Sequence, residues 1–148
     1  MSEQRRILGL DVGTRTIGVA VSDPLRLTAQ GRGVIRRSSK AADLAEIKHL
    51  TDLYQPEAIV VGYPLTLSGL AHRQAQGIDG FIADLEALGI PIIRQDERFT
   101  TKIAERVLIE ADVSRARRRG IIDQQAAILI LQGYLDRLRR ERNPDGTP

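Results

Sequence analysis

Three acidic positions, far apart in the chain, have the residue types and settings for metal-assisted chemistry. Asp11 ends the apolar run Ile7-Leu8-Gly9-Leu10. It precedes Val12-Gly13-Thr14-Arg15, which can turn the chain into a second β-branched run, Ile17 to Val21. A carboxylate at the end of a buried strand is costly unless it is paired or binds a cation. The second position is Asp96 or Glu97, just after the apolar strand Ile90 to Arg94. Strand alternation lets only one of these two point to a given face, and the residues alone leave both open. The third is Asp123, followed at i+3 and i+4 by Ala126 and Ala127. Small side chains there let a helix approach the sheet and bring Asp123 near Asp11. Oxygen ligands from two strand ends and one helix suit a hard divalent cation. Two such ions can activate water and stabilise the leaving oxygen in phosphodiester hydrolysis.

Each acid also has a plainer reading. Asp123 fits an N-terminal helix acid favoured by the helix dipole, and Glu97 fits an ion pair with Arg94 or Arg98. Asp11 has the weakest plain reading, since a strand-end acid before a glycine turn is seldom mere surface. Asp23, before Pro24, reads as a turn or cap residue, with a supporting role beside the site as its other option. His49 and His72 have no ligand-like spacing, so no zinc site is expected. Cysteine is absent, which removes thiolate chemistry and suits a reducing cytoplasm.

The elements that must position these acids can be read from periodicity. Leu27 to Ile35 is a third strand, with Gly31 and Gly33 marking a bulge or an edge, and short connections make the first three strands an antiparallel meander. Ala41 to Tyr54 has helical period and ends before Pro56. Glu57 to Val61 is a continuous apolar run, as in a strand buried on both faces. Gly62 to Gly77 reads as a loop, or a loop with frayed helical edges, followed by a helix from Ile78 to Leu88 that Gly89 stops. After the strand Ile90 to Arg94, Thr100 to Glu110 reads as a helix, Ser114 to Gly120 as a basic loop, and Asp123 to Arg140 as a core helix. The 148 residues are expected to form one domain over 1–142 with a disordered tail over 143–148. The fold class is α/β: three antiparallel strands, then parallel strands, in a mixed sheet with helices on both faces.

The net charge is +3, and 19 of the 22 basic residues are arginines, the side chain suited to bidentate phosphate contact. A nucleic-acid partner is expected, although a GC-rich genome would also replace Lys by Arg. Candidate contacts are Arg15 and Arg98 beside the acids, Arg73 in the 62–77 segment, and the run Arg117, Arg118 and Arg119. Tyr63 is the aromatic best placed to stack on a base, against ordinary packing onto the sheet. No membrane-spanning run and no signal peptide are seen, so a cytoplasmic protein without a membrane partner is expected.

Four motifs, LDVGTRTIGVAVSD (10–23), VVGYPL (60–65), DERFTT (96–101) and IDQQAAILILQGYL (122–135), together resemble the YqgF/RuvX family of the RNase H-like superfamily. The resemblance covers almost the whole domain in family order. It implies an RNase H-like fold and a metal-dependent endonuclease. It implies Asp11, Glu97 and Asp123 as catalytic acids, holding Mg²⁺ or Mn²⁺, with two ions expected. Its substrates are structured nucleic acid, either a four-way DNA junction or the 5′ region of precursor 16S rRNA, and junction cutting implies a two-fold homodimer. Thr66-Leu67-Ser68-Gly69 and Arg119 depart from the family pattern, which bears on substrate preference. Two other classes compete: a non-catalytic nucleic-acid- or ribosome-associated factor, and a nucleotide-phosphate enzyme suggested by the Asp11-Val12-Gly13-Thr14 turn. The chain has length for only one of the two domains such an enzyme needs, and no phosphate-binding G-x-x-x-x-G-K-[ST] loop.

Overall fold

The computed structural model describes residues 5–64, 69–96 and 115–142, with side chains given outside 65–72 and 115–123. Five strands form one sheet: β1 (Ile7–Val12), β2 (Thr16–Ser22), β3 (Ala29–Arg36), β4 (Ala58–Tyr63) and β5 (Ile92–Asp96), in spatial order β3-β2-β1-β4-β5. The first three are antiparallel; β4 pairs parallel to β1, and β5 parallel to β4. Helix α1 (Lys40–Tyr54) joins β3 to β4. Helix α2 (Gly69–Leu85), extended by a 3-10 turn over Glu86–Leu88, joins β4 to β5. Helix α3 (Arg115–Arg142) closes the described fold. This is the expected mixed sheet with helices on both faces.

Alternation along β1 sorts the core into two layers. Leu8, Leu10 and Val12 pack with Ile47 of α1 and with Ile78, Phe81, Ile82 and Leu85 of α2. Ile7 belongs to the other layer, with Ala20, Val60 and the α3 residues Ala127, Ile130, Leu131, Tyr134 and Leu135. Gly9 lies between Ile7 and Asp11 on that second face, and a Cβ built on it would stand 2.8 Å from Leu131 Cβ. The helix therefore rests on the β1 backbone itself. The edge strand β3 is similarly open to α3: a Cβ at Gly31 would meet the Gln124 side chain at 2.7 Å.

The third strand does carry a bulge. Its register with β2 shifts between Gly18↔Val34 and Ala20↔Gly31, and Gly33 there has φ +89°. The bulged Gly33 amide donates to Gln124 Oε1 at 2.6 Å, so α3 takes up a hydrogen bond the ladder lost. Helix α1 starts at the N-cap Ser39, whose hydroxyl accepts from the Ala42 amide, and ends at Gln55 in the left-handed region.

Two stretches differ from the expectation. The segment to Gly77 is not a loop: α2 begins at Gly69, because Ala75, Ile78, Ile82 and Leu85 form a buried stripe at helical spacing that overrides its glycines. The basic run is not a loop either. Arginine is a good helix former, and α3 is helical from Arg115, so Asp123 lies in its third turn rather than at its start. A helix-dipole role for Asp123 is removed with it, since that effect is confined to the first turn. The helix expected over Thr100–Glu110 and the tail over 143–148 lie outside the described residues.

Asp23 is the turn residue its position before Pro24 suggested. Its Oδ1 accepts from the amides of Leu27 (2.7 Å) and Thr28 (2.8 Å). The Thr28 amide foremost holds the carboxyl below the ordinary aspartate range against desolvation, with the Leu27 amide adding to the lowering. A carboxyl lowered in this way adds stability above its unfolded-state value, and the gain is lost as pH falls through the folded value. The stability gap between wild type and Asp23→Ala, followed by urea titration, is expected at neutral pH and should close below about pH 4. The Gly9 contact yields a second expectation. Gly9→Ala should lower stability by about 1–3 kcal/mol, because the added methyl meets another backbone-anchored carbon; a Gly9→Ala protein with an unchanged urea midpoint would contradict the packing described.

Candidate functional site

Asp11 is paired with Gly18 of β2, is partly exposed, and by alternation faces α3. The direction of α3 decides what lies above it. Gln132 bonds the Ala29 amide at 2.9 Å, near the β2 end that pairs with the start of β1. Gln124 reaches Gly31 and Gly33, level with the Ala20 and Gly18 rows. The helix thus runs antiparallel to β1, and its residues 123–124 sit at the Asp11 end of the sheet. The backbone at residue 123 therefore lies toward the Asp11 end of the sheet, and Ala126 and Ala127, one turn on, are both buried. The first turns of α3, which carry Arg117, Arg118 and Arg119, extend from that same end.

The Asp96/Glu97 ambiguity is narrowed by register. Tyr63 and Asp96 are partners in the parallel β4–β5 ladder, and Tyr63 packs in the α1/α2 layer. Asp96 therefore shares that layer's face, opposite to Asp11. Ile93 and Gln95 alternate to the α3 face; Ile93 packs in the α3 layer, and a Cβ at Gly133 of α3 would stand 3.4 Å from Gln95 Nε2. The Gln95 Oε1 atom is buried without a hydrogen-bond partner. Glu97 and Arg98 lie outside the described residues, as does the side chain of Asp123. Among the described residues no three ligating side chains come together.

The remaining predicted positions fall around the same rim or away from it. Arg15 is exposed in the β1–β2 hairpin turn, and Arg73 is exposed on α2. Tyr63 donates its hydroxyl to Asp79 Oδ2 at 3.0 Å, and burial, followed by that carboxylate, pushes its phenol up. Arg94 binds Asp79 Oδ1 at 3.0 Å and lies 5.4 Å from the Tyr63 ring centroid. Asp23 follows β2 at the end of the sheet opposite Asp11, so a supporting role beside the site is ruled out by distance along the strands.

One constellation escaped the sequence reading. Arg37 donates Nε to Asp43 Oδ2 (3.1 Å) and Nη1 to the Gly13 carbonyl (2.8 Å), and its amide donates to the Arg15 carbonyl (2.9 Å). Asp43 is buried, accepts also from the Ser38 amide, and Arg37 lies over Phe81. The hairpin turn next to Asp11 is thereby tied to the start of α1. The only sequence signal was an acid in the first turn after the Ser38-Ser39 pair, which looks like any helix start.

With this geometry in view, the kinship of the chain is specific. A family model described as RuvX, Holliday junction resolvase, matches residues 5–137. A Moorella thermoacetica protein provisionally named pre-16S rRNA nuclease is 57% identical over 134 residues, which is 90% of this chain and 96% of the relative. A Desulfitobacterium hafniense protein of the same name is 50% identical over 137 residues, 92% of this chain and 95% of the relative. Among solved structures, Thermus thermophilus RuvC in complex with a Holliday junction substrate is similar with a TM-score of 0.57 at 16% identity, over 90% of this chain and 96% of that one. The fowlpox virus Holliday junction resolvase gives 0.54 at 12% identity, over 90% and 99%. The two structures share the fold, and the match along residues 5–137 places the chain in the RuvX family.

Proposed function

We infer that this chain is a metal-dependent endonuclease that hydrolyses phosphodiester bonds in structured nucleic acid, with the 5′ region of precursor 16S rRNA as its first substrate. The observation that carries the reading is Asp11, a carboxylate on the α3 face at the end of β1 to which the helix backbone at Asp123 is also brought. The name borne by the relatives at 50% identity and above supports the RNA substrate. The description of the family model favours a second substrate, a four-way DNA junction. Paired junction cuts need two sites related by a two-fold axis, so that reading carries a homodimer with it.

The donor set fits a hard cation. Asp11 offers oxygen only, Gln95 leaves a buried oxygen unpartnered on the same sheet face, and the chain has no sulfur ligand but Met1. Asp11, Glu97 and Asp123 would hold the metal, Mg²⁺ or Mn²⁺ as two ions, and the orientation of Asp96 to the opposite face supports Glu97 as the second acid. Such ions supply an activated water and charge neutralisation at the leaving oxygen. The chain's own part is to bind and orient the strand. Arg15, Arg73, Arg98, Arg117, Arg118 and Arg119 are the proposed phosphate contacts, bidentate forks matched to phosphate oxygens. Tyr63, with its hydroxyl on Asp79 and one side of its ring under Arg94, supports the placement of Arg94 better than a base stack. No helix among the described residues is long and apolar enough to cross a membrane.

The test is cleavage of a labelled precursor 16S rRNA fragment and a labelled four-way junction with Mg²⁺ or Mn²⁺. Wild type should cut, and Asp11→Asn should cut about a thousandfold more slowly while binding equally in EDTA, as expected for loss of several kcal/mol of metal-borne stabilisation. If wild type binds both substrates and cuts neither, the chain is a binding factor; equal cutting by Asp11→Asn removes Asp11 from the reaction.

A further inference from the structure

Val12 follows Asp11 but points to the opposite face, where it forms the floor of a cleft of about 590 Å³ between the hairpin turn and α2. The volume falls in the range of small-molecule sites. Its floor is aliphatic, made by Val12 and Ile78. Its rim is cationic, with Arg37 and Arg73, and no carboxylate is among its described lining residues.

The two arginines are prepared differently. Arg37 is held by Asp43, the Gly13 carbonyl and the Phe81 ring, which fixes the guanidinium in place. Its Nη2 makes no hydrogen bond among the described residues, so donors of a pre-oriented fork remain for a ligand. Arg73, on α2, is exposed and has no ion pair among the described residues. Between them α2 presents Gly77. A Cβ there would meet nothing within 4 Å, and its φ is not in the left-handed region. Neither backbone nor packing requires glycine at that point of the helix, and glycine costs helix stability. What its missing side chain leaves is the open volume of the cleft.

An apolar floor under a pre-oriented cationic rim suits a ligand with a flat, weakly polar body and an anionic group. We propose that this cleft binds one unpaired nucleotide of the substrate strand, its base on Val12 and Ile78 and its phosphate on Arg37 and Arg73. Asp11 and Val12 are adjacent in the chain, so a strand crossing the rim of the sheet has its cutting point on the α3 face and this nucleotide on the α1/α2 face. The proposal rests on the nucleic-acid substrate inferred above and adds to it a requirement for an unpaired residue beside the cut.

The experiment measures fluorescence anisotropy of a labelled single-stranded octanucleotide, as RNA and as DNA, in EDTA so that binding is read without cleavage. Gly77→Leu fills the cleft from a helical position where the longer side chain has room. It should weaken binding about tenfold or more, the scale of one base contact with its phosphate. Arg73→Ala should weaken it severalfold, independently of any folding defect in Gly77→Leu. Gly80→Leu is the control, because Gly80 lies on the same helix, has the same open space and does not line the cleft; it should bind within twofold of wild type. Adenosine monophosphate titrated against the bound strand separates the sources. Competition that Gly77→Leu abolishes places a free nucleotide in the same cleft, and no competition leaves the strand as the ligand. The proposal is overturned if Gly77→Leu and Arg73→Ala bind as wild type does, or if Gly80→Leu loses as much as Gly77→Leu. Wild type that cuts alongside a Gly77→Leu that binds normally sinks the cleft and spares the nuclease. Wild type that cuts nothing alongside a Gly77→Leu that loses binding does the reverse.

Discussion

The arrangement of this molecule depends on how closely α3 can approach the sheet. Leu131 Cβ and the Ala127 carbonyl lie 2.8 and 3.4 Å from where a Gly9 side chain would begin, so the helix packs on bare β1 backbone. Ala20 and Ala127 thin the same layer from both sides. Each small residue gives up apolar area that a leucine would have buried. The gain is proximity: a helix held this close keeps residue 123 near the level of Asp11. Dispersion falls steeply with separation, so a helix standing off by even one methyl would lose much of that contact.

The second constraint acts on the other face of the same strand. The Arg37–Asp43 pair ties the β1–β2 turn to α1, and losing Arg37 would leave the buried Asp43 carboxylate without its counter-charge, a costly state. The turn is therefore held from below while α3 holds the strand from above. Asp11 and Val12 inherit this rigidity in opposite directions, one toward α3 and one toward the cleft beside α2. A functional group set on a strand so braced keeps its geometry better than one on a loop.

Kinship and geometry answer different questions here. Relatives at 50–57% identity over nine-tenths of the chain, together with the family match, settle membership. The resolvase structures at 12–16% identity share only the fold. That fold alone does not separate an RNA substrate from a DNA one.

Strand alternation, the meander and the parallel run to β5 were legible from the sequence, because burial on one or both faces writes a period of two or an unbroken apolar run. Asp11 as the acid needing a partner was legible for the same reason: an ionised group in an apolar strand has no cheap resting state. The start of α2 was not legible, since Gly69 and Gly77 look like loop residues until Ala75, Ile78 and Leu85 find a sheet to cover. Nor was the helical state of the basic run, for charge sets no period. The choice between Asp96 and Glu97 was closed to residue types alone, and register with Tyr63 turned Asp96 away from the Asp11 face. Asp43 carried only the signal of an ordinary helix start, and Arg37 carried none. Sequence by itself determined which segments must bury and which residues resist burial, because those are local properties of side chains. Only the tertiary structure decided which of them meet, because a contact between β1, α1 and α3 depends on distances that no single segment contains.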